Sequence, residues 1–168
     1  HPVTTSFGES AQQITETLQG LKDIPLTKIV LWPNPDAGSD GLAKAIREFQ
    51  NVYHDLPFSY HINFPPEIFA SMIANAQCVV GNSSSFIREC AFLGTPAVII
   101  GDRQSGREHG RNVVYANYSR LDIREKVLAQ VKHGRYESEH IFGEGTAGKK
   151  IAAHLEIADL KIIKRCTY

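Results

Sequence analysis

The feature that most constrains the fold is an alternation between short apolar runs and longer stretches with helical periodicity. The short runs are rich in β-branched residues, as in Ala97–Ile100, and several contain no polar residue at all. In the longer stretches, apolar residues recur every three or four positions, which places them on one face of a helix. Alternating strands and helices, with strands that are apolar throughout, indicate a parallel sheet covered by helices on both faces. The alternation therefore predicts a Rossmann-like α/β domain.

The periodicity also predicts where the individual elements lie. Strands are predicted at residues 28–32, 58–62, 78–81, 97–100 and 113–116. Helices are predicted at residues 9–21, from about 40 onward, and at 86–93, 122–132 and 148–163. A further helix, the third in chain order, follows Pro65 and Pro66, which fit a loop or its first turn. Gly94 and Pro96 are expected to end the fourth helix. The apolar face of the third is expected to hold Ile68, Phe69, Met72, Ile73 and Ala76.

The order of the elements is unusual at the start of the chain. A sheet of this kind normally begins with a central strand, whereas this sequence begins with a loop and a helix. The first strand is therefore expected ahead of His1, and residues 1–168 are expected to form one domain that lacks it.

Composition narrows the class of partner. The 168 residues carry 18 Lys plus Arg and 18 Asp plus Glu, a formal net charge of zero. This balance argues against nucleic acid or an anionic membrane as the main partner, but it leaves room for a small anion bound by a local cluster of donors. No apolar run approaches the length of a membrane-spanning helix.

The cysteines and the missing cofactor motifs exclude further classes. Cys78, Cys90 and Cys166 have no spacing typical of a disulfide framework or a zinc site, which favours a reducing cytoplasm. The sequence contains no Gly-x-Gly-x-x-Gly, no Gly-x-x-x-x-Gly-Lys-Ser/Thr and no Gly-x-Ser-x-Gly motif. No cofactor or metal is therefore predicted.

The strongest site candidate is Gly81-Asn82-Ser83-Ser84-Ser85, which we call the serine turn. It follows a buried strand and opens a helix, so amide hydrogens and serine hydroxyls can approach a phosphate there. The alternative is that Ser83 or Ser84 merely caps the helix. Glu89, further along this helix, is expected either to accept hydrogen bonds from hydroxyls such as a ribose diol or to be a solvated carboxylate paired with Arg88 or a neighbour.

A second candidate is the arginine loop, residues 101–107, which follows the strand Ala97–Ile100. Arg103 and Arg107 lie four residues apart and suit anion binding, and Arg111 continues the cluster. A solvated basic loop is the alternative. A joint pyrophosphate pocket requires the serine turn and the arginine loop to lie on the same side of the molecule.

Five motifs together resemble a known family. In chain order they are His1-Pro2-Val3-Thr4-Thr5, Pro33-Asn34-Pro35-Asp36-Ala37-Gly38, Gly81-Asn82-Ser83-Ser84-Ser85, Gly94-Thr95-Pro96 and Gly101-Asp102-Arg103-Gln104-Ser105-Gly106-Arg107. The series resembles the carboxy-terminal lobe of UDP-N-acetylglucosamine 2-epimerases over almost the whole chain. The first motif and the Asp-Ala-Gly sequence are similar to those of the hydrolysing members that open sialic-acid-type pathways. Non-hydrolysing members usually show His-Arg-Arg-Glu at the first of the five motifs and Asp-Ser-Gly-Gly at the third.

The resemblance implies one lobe of a two-lobe GT-B enzyme, with UDP bound mainly to this lobe. It implies that Ser83 and Ser84 hold the diphosphate, that Glu89 takes the ribose hydroxyls and that Arg103 lies by the nucleotide. It also implies roles for three further residues: Phe69 near the uracil, with His1 and Asn34 beside the diphosphate and sugar, His1 being the catalytic candidate. Phe86 replaces a glycine that often follows the serines in this family, and it is expected either to narrow the pocket or to pack beneath it.

The family's reaction is elimination of UDP to a 2-acetamidoglucal, to which hydrolysing members add water to give N-acetylmannosamine. Its acidic catalytic residues come largely from the amino-terminal lobe, so this chain alone is expected to be inactive. That lobe and the UDP-sugar are the expected partners, and the full-length enzyme is expected to be a homo-oligomer. A non-hydrolysing epimerase, a GT-B glycosyltransferase and a non-catalytic UDP-sugar sensor remain alternatives.

Overall fold

The computed structural model describes residues 1–3, 8–34 and 38–158. The helices and strands follow one another in the predicted order. The helices are α1 Ser10–Leu21, α2 Ser39–Val52, α3 Pro66–Asn75, α4 Ser85–Leu93, α5 Arg120–His133 and α6 Ala147–Ile157. The strands are β1 Lys28–Leu31, β2 Phe58–His61, β3 Val79–Gly81, β4 Ala97–Ile100 and β5 Val113–Ala116. The element order confirms the prediction, and the part of the last predicted helix beyond residue 158 lies outside the described residues.

The strands form two parallel ladders. Strand β1 pairs with β2, and β4 lies between β3 and β5. Every strand pair is parallel, as expected from the alternation of strands and helices. The ladders are separate, however, because no hydrogen bonds join β1 to β3 in the described part of the chain. The prediction of one continuous sheet is therefore met only in part.

The three-stranded sheet has helices on both faces. Its central strand β4 is fully buried, and its side chains alternate between two core clusters. Ile99 packs with Ile87 of α4, while Val98 packs on the opposite face with Ile123 of α5. This two-sided burial is the physical reason for the wholly apolar sequence of β4.

The two-stranded sheet is covered differently. Val30 of β1 packs against α1 and α2 through Leu18 and Ile46. On the other face, Ile29 is 51% exposed and Leu31 is 37% exposed. The expectation of helices on both faces is confirmed for the three-stranded sheet, whereas this side of β1 is only partly covered by the described residues.

One predicted core residue also lies outside the core. Ile68 is 49% exposed, although it was expected on the buried face of α3. The stripe that packs on the core consists of Phe69, Ile73 and Ala76. These positions are four and three residues apart, so they share one face of the helix, and Ile68 lies to one side of it.

Helix α1 joins the two halves of the molecule. Its residue Leu18 belongs to the core of the two-stranded sheet, and Leu21 packs against the core shared by β4 and α5. The Glu16 carboxylate of α1 also accepts hydrogen bonds from the backbone N–H and guanidinium of Arg120, at the start of α5. These bonds lower the pKa of Glu16.

The end of α4 is set by Gly94, as predicted. Gly94 adopts a left-handed conformation with φ 66° and donates its N–H to the last turn of the helix. A Cβ at this position would overlap the carbonyl oxygen of Tyr136. Glycine is therefore required here by conformation and by space, which fixes the carboxyl end of α4. Within the described ranges, no helix has the length and apolarity needed to cross a membrane.

Candidate functional site

The serine turn and the arginine loop meet at one backbone carbonyl. The serine turn follows β3 and the arginine loop follows β4, so both lie at the carboxyl edge of the three-stranded sheet. The carbonyl oxygen of Asn82 accepts a hydrogen bond from Arg103 Nη1 at 2.8 Å and another from Gln104 Nε2 at 2.8 Å. The two loops are thus on the same side of the molecule, which is the arrangement that a joint pyrophosphate pocket requires.

The Asn82 side chain connects a third segment to this point. Its Oδ1 accepts a hydrogen bond from the backbone nitrogen of His1 at 2.9 Å. Its Nδ2 donates to the carbonyl oxygen of His1 at 2.9 Å. Asn82 therefore holds His1, the serine turn and the arginine loop together. From the sequence, Asn82 was placed in the serine turn but was given no role of its own, although its position directly after a buried strand was a usable signal.

The start of α4 tests the capping alternative. Ser83 Oγ accepts a hydrogen bond from the N–H of Ser85 at 3.3 Å, which is long for a cap. Ser84, at the N-cap position, forms no side-chain capping bond. Capping therefore accounts at most for Ser83 and leaves the Ser84 hydroxyl without that role.

Fewer amide hydrogens than expected are available to a phosphate at the start of α4. The N–H of Phe86 donates to the Ser83 carbonyl at 3.2 Å, and the N–H of Ile87 donates to the Ser84 carbonyl at 3.1 Å. Both donors are used inside the first turn of the helix. The Ser84 hydroxyl and the Arg103 guanidinium are therefore candidate side-chain donors for an anion at this point.

Phe86 packs beneath the serine turn and not across it. A Cβ at Gly81 would lie 3.3 Å from Phe86 Cε2, so the ring occupies the space that a side chain at Gly81 would need. The ring also packs against the core cluster that contains Ile73 and Val79. Of the two outcomes expected for Phe86, the structure shows the second.

The remaining predicted site residues lie around this centre at different places. Phe69 of α3 is half-buried against the same core cluster as Phe86. Glu89 is exposed on α4, and no ion pair joins it to Arg88 among the described residues; the Arg88 guanidinium lies 5.8 Å from the centre of the Phe142 ring. Asn34 is exposed after β1 at the edge of the other sheet, and no described contact joins it to the serine turn.

An open groove of about 480 Å³ borders the serine turn. Its lining contains Ser84 from the serine turn and Arg107 from the arginine loop. The other lining residues, Ile87, Arg88, Glu108 and Phe142, were not predicted. The volume is within the range of small-molecule sites, and two guanidinium groups beside one carboxylate favour an anionic occupant.

Arg111 does not belong to the anion-binding cluster, contrary to expectation. Its Nε lies 3.0 Å from Glu139 Oε1, and its Nη2 lies 3.6 Å from Glu137 Oε2. Its backbone N–H also donates to Glu139, and this bond holds the pKa of Glu139 below its usual value. Arg111 is therefore used to fasten residues 137–139 to the sheet.

The cysteines and acidic residues offer neither a nucleophile nor a metal site in the described part of the chain. Burial raises the pKa of Cys78 and of Cys90 to about 12, so both are neutral thiols near pH 7. No group of three His, Cys, Asp or Glu residues that could hold a metal ion occurs among the described residues. Cys166 lies outside them.

The fold and the loop arrangement together define a Rossmann-like α/β lobe whose predicted binding loops converge at the carboxyl edge of its sheet. A family model described as UDP-N-acetylglucosamine 2-epimerase matches residues 1–156. The chain therefore belongs to the UDP-N-acetylglucosamine 2-epimerase family.

Curated relatives show how much of such proteins the chain spans. It is 28% identical over 148 residues to UDP-N-acetylglucosamine 2-epimerase of Neisseria meningitidis, which covers 86% of this chain and 37% of the relative. It is 34% identical over 116 residues to polysialic acid biosynthesis protein P7 of Escherichia coli, covering 68% and 29%. It is 26% identical over 168 residues to UDP-N,N'-diacetylbacillosamine 2-epimerase (hydrolyzing) of Legionella pneumophila, covering 99% and 44%. The chain thus spans less than half the length of each of these relatives.

Proposed function

We propose that this chain is the UDP-binding lobe of a hydrolysing UDP-N-acetylglucosamine 2-epimerase, and that the parent enzyme releases UDP and N-acetylmannosamine. The observation that carries the proposal is the junction at Asn82, where the serine turn, Arg103 and His1 are held within hydrogen-bonding reach of one residue. The family membership makes a nucleotide-sugar epimerase the preferred reading over a GT-B glycosyltransferase or a non-catalytic sensor.

In this proposal the lobe acts mainly on the leaving group. As the bond between the sugar C1 and the phosphate oxygen breaks, negative charge grows on the diphosphate. Donors that bind this charge more tightly in the transition state than in the substrate lower the barrier. Ser83, Ser84 and Arg103 are the donors proposed for the diphosphate, with Glu89 accepting from the ribose hydroxyls and Phe69 near the uracil.

His1 and Asn34 complete the proposed set on the sugar side. Asn82 bonds to the backbone of His1, which leaves the orientation of the imidazole to other contacts. The base that removes the proton from C2 is proposed to come from the second lobe of the enzyme. The isolated chain is accordingly expected to bind UDP weakly and to make no product.

The length of its relatives supports the proposal that this lobe is part of a larger enzyme. The chain spans 37% of the Neisseria relative and 44% of the Legionella relative, so proteins of that length have room for a second lobe. In that setting we propose a cytoplasmic, homo-oligomeric enzyme.

Binding to the isolated chain tests the phosphate site. The double variant Ser83→Ala/Ser84→Ala is expected to weaken UDP binding by more than about a hundredfold in calorimetry, because two hydrogen bonds to a charged group, each worth about 1.5 to 3 kcal/mol, are lost. Uridine, which lacks the phosphates, is expected to bind nearly as before. Ser85→Ala is the matched control in the same turn. Equal losses for UDP and uridine would mean that the change only disturbed the start of α4.

The product decides the reaction of the parent enzyme. Incubation of the full-length protein with UDP-N-acetylglucosamine, with no acceptor present, is expected to release free UDP and N-acetylmannosamine. Recovery of UDP-N-acetylmannosamine, with the nucleotide still attached, would instead indicate the non-hydrolysing reaction. A parallel incubation with UDP-N,N'-diacetylbacillosamine tests the substrate named for the Legionella relative. Turnover of that substrate alone would overturn the choice of sugar.

A further inference from the structure

We propose that Gln104 is a positioning residue that fixes the arginine loop against the serine turn and so presents Arg103 to the diphosphate. The inference rests on the proposed UDP site. Gln104 was not assigned a role by the sequence motifs. It acts through its neighbour and does not itself touch the nucleotide.

The burial of Gln104 is unusual for its surroundings. Every other residue from 102 to 109 is exposed, whereas Gln104 is 1% exposed. Its side-chain Nε2 donates to the Asn82 carbonyl at 2.8 Å, and its backbone carbonyl accepts from Tyr115 Oη at 3.1 Å. The loop has no apolar anchor of its own in this stretch. The side chain of Gln104 therefore ties the arginine loop to the end of β3, and its backbone carbonyl ties the loop to β5.

The shared acceptor shows how the tie affects Arg103. Arg103 Nη1 and Gln104 Nε2 both donate to the Asn82 carbonyl. Arg103 is exposed, and a long exposed side chain on an untethered loop loses conformational entropy when it binds a ligand. With Gln104 holding the loop, that loss occurs on folding and not on binding, so the affinity for the ligand is higher.

A second buried glutamine provides the contrast. Gln130 of α5 donates to two backbone carbonyls, of Ala97 and Asn112, and its Oε1 accepts from Tyr136. Its amide is satisfied at both ends, as expected of a residue that serves only the fold. Gln104 Oε1, in contrast, is buried and has no partner among the described residues. A half-satisfied amide stabilises the fold less, so its burial fits a role in holding the loop.

A double-mutant cycle tests the inference by calorimetry with UDP. Gln104→Met keeps the size of the side chain and removes its hydrogen bond to the Asn82 carbonyl. It is expected to weaken the binding of UDP about three- to tenfold. In an Arg103→Ala background the same change is expected to have no further effect, because Gln104 acts through that guanidinium. A purely structural role would give the same loss in both backgrounds and would overturn the inference.

Two further variants keep the test decisive. Gln130→Met is the control for loss of a buried amide, and it is expected to lower the Tm while leaving the affinity of the folded protein for UDP unchanged. If Gln104→Met does not fold, Tyr115→Phe removes the hydrogen bond from Tyr115 to the backbone carbonyl of Gln104. It is likewise expected to weaken the binding of UDP, again only when Arg103 is present. If wild-type protein binds UDP, and Gln104→Met and Tyr115→Phe bind it equally well, the role of Gln104 is refuted but the proposed UDP site is not. Wild-type protein that binds no UDP would refute the proposed site and this inference with it.

Discussion

Replacing Arg103 with alanine is the most direct test of the proposed diphosphate site. The side chain is exposed, and its described contact is the 2.8 Å hydrogen bond from Nη1 to the Asn82 carbonyl. That carbonyl keeps its second donor, Gln104, after the change. Because no buried group is left unsatisfied, we expect the free energy of unfolding to fall by less than about 1 kcal/mol.

The effect on UDP is expected to be larger than the effect on folding. Two unit charges 4 Å apart interact by about 1 kcal/mol in bulk water and by about 4 kcal/mol near a protein surface. Since Arg103 is exposed, the lower part of that range applies, and we expect a loss of about 1 to 3 kcal/mol. This corresponds to a Kd for UDP that is roughly 5 to 150 times higher. Uridine carries no charge, so its binding should be almost unaffected by Arg103→Ala.

Calorimetry with UDP and with uridine, at low and at high salt, measures this difference. The difference in UDP affinity between wild type and Arg103→Ala should become smaller at high salt, because the field of an exposed charge is screened over about 10 Å at 0.1 M. Arg124→Ala, which removes an exposed arginine from α5, controls for the change in net charge. An unchanged UDP affinity in Arg103→Ala, or an equal loss in Arg124→Ala, would refute the assignment of the arginine loop to the nucleotide site.

Two further predictions concern the fold that holds the site. Gly101→Ala should lower the free energy of unfolding by about 2 to 4 kcal/mol, because φ is +73° and the new Cβ would lie 2.7 Å from Tyr118 Cε2. The control Gly106→Ala, with φ +75° and no atom within 4 Å, should lower it by only about 1 kcal/mol. Equal losses of stability in thermal unfolding would contradict the steric argument. Because burial raises the pKa of Cys78 and Cys90 to about 12, their thiols ionise first in the unfolded chain, and each should lower stability by about 1 kcal/mol per pH unit above about pH 9. Denaturant unfolding across this range should show the wild type losing stability relative to Cys78→Ala/Cys90→Ala as pH rises, and a pH-independent difference would contradict the burial of the thiols.

The sequence by itself determined the elements and the class of fold. Strand β4 was recognisable because a strand buried on both faces contains only apolar residues, and the structure buries Ala97–Ile100 completely. The end of α4 was recognisable because only glycine adopts the left-handed conformation at Gly94 without strain. Both signals are local, since they depend on the side chains and the backbone of a few consecutive residues.

Only the tertiary structure decided how the candidate site is assembled. The sequence marked Ser84 and Arg103 as donors, but the meeting of their loops at the Asn82 carbonyl depends on β3 and β4 being neighbours. In the same way, Arg111 was predicted to bind an anion, but it pairs with Glu139, which lies 28 residues further along the chain. Such contacts join residues far apart in sequence, and no local periodicity encodes them. The chemistry available at each position was therefore set by the sequence, and the choice of which groups act together was set by the packing of the sheet.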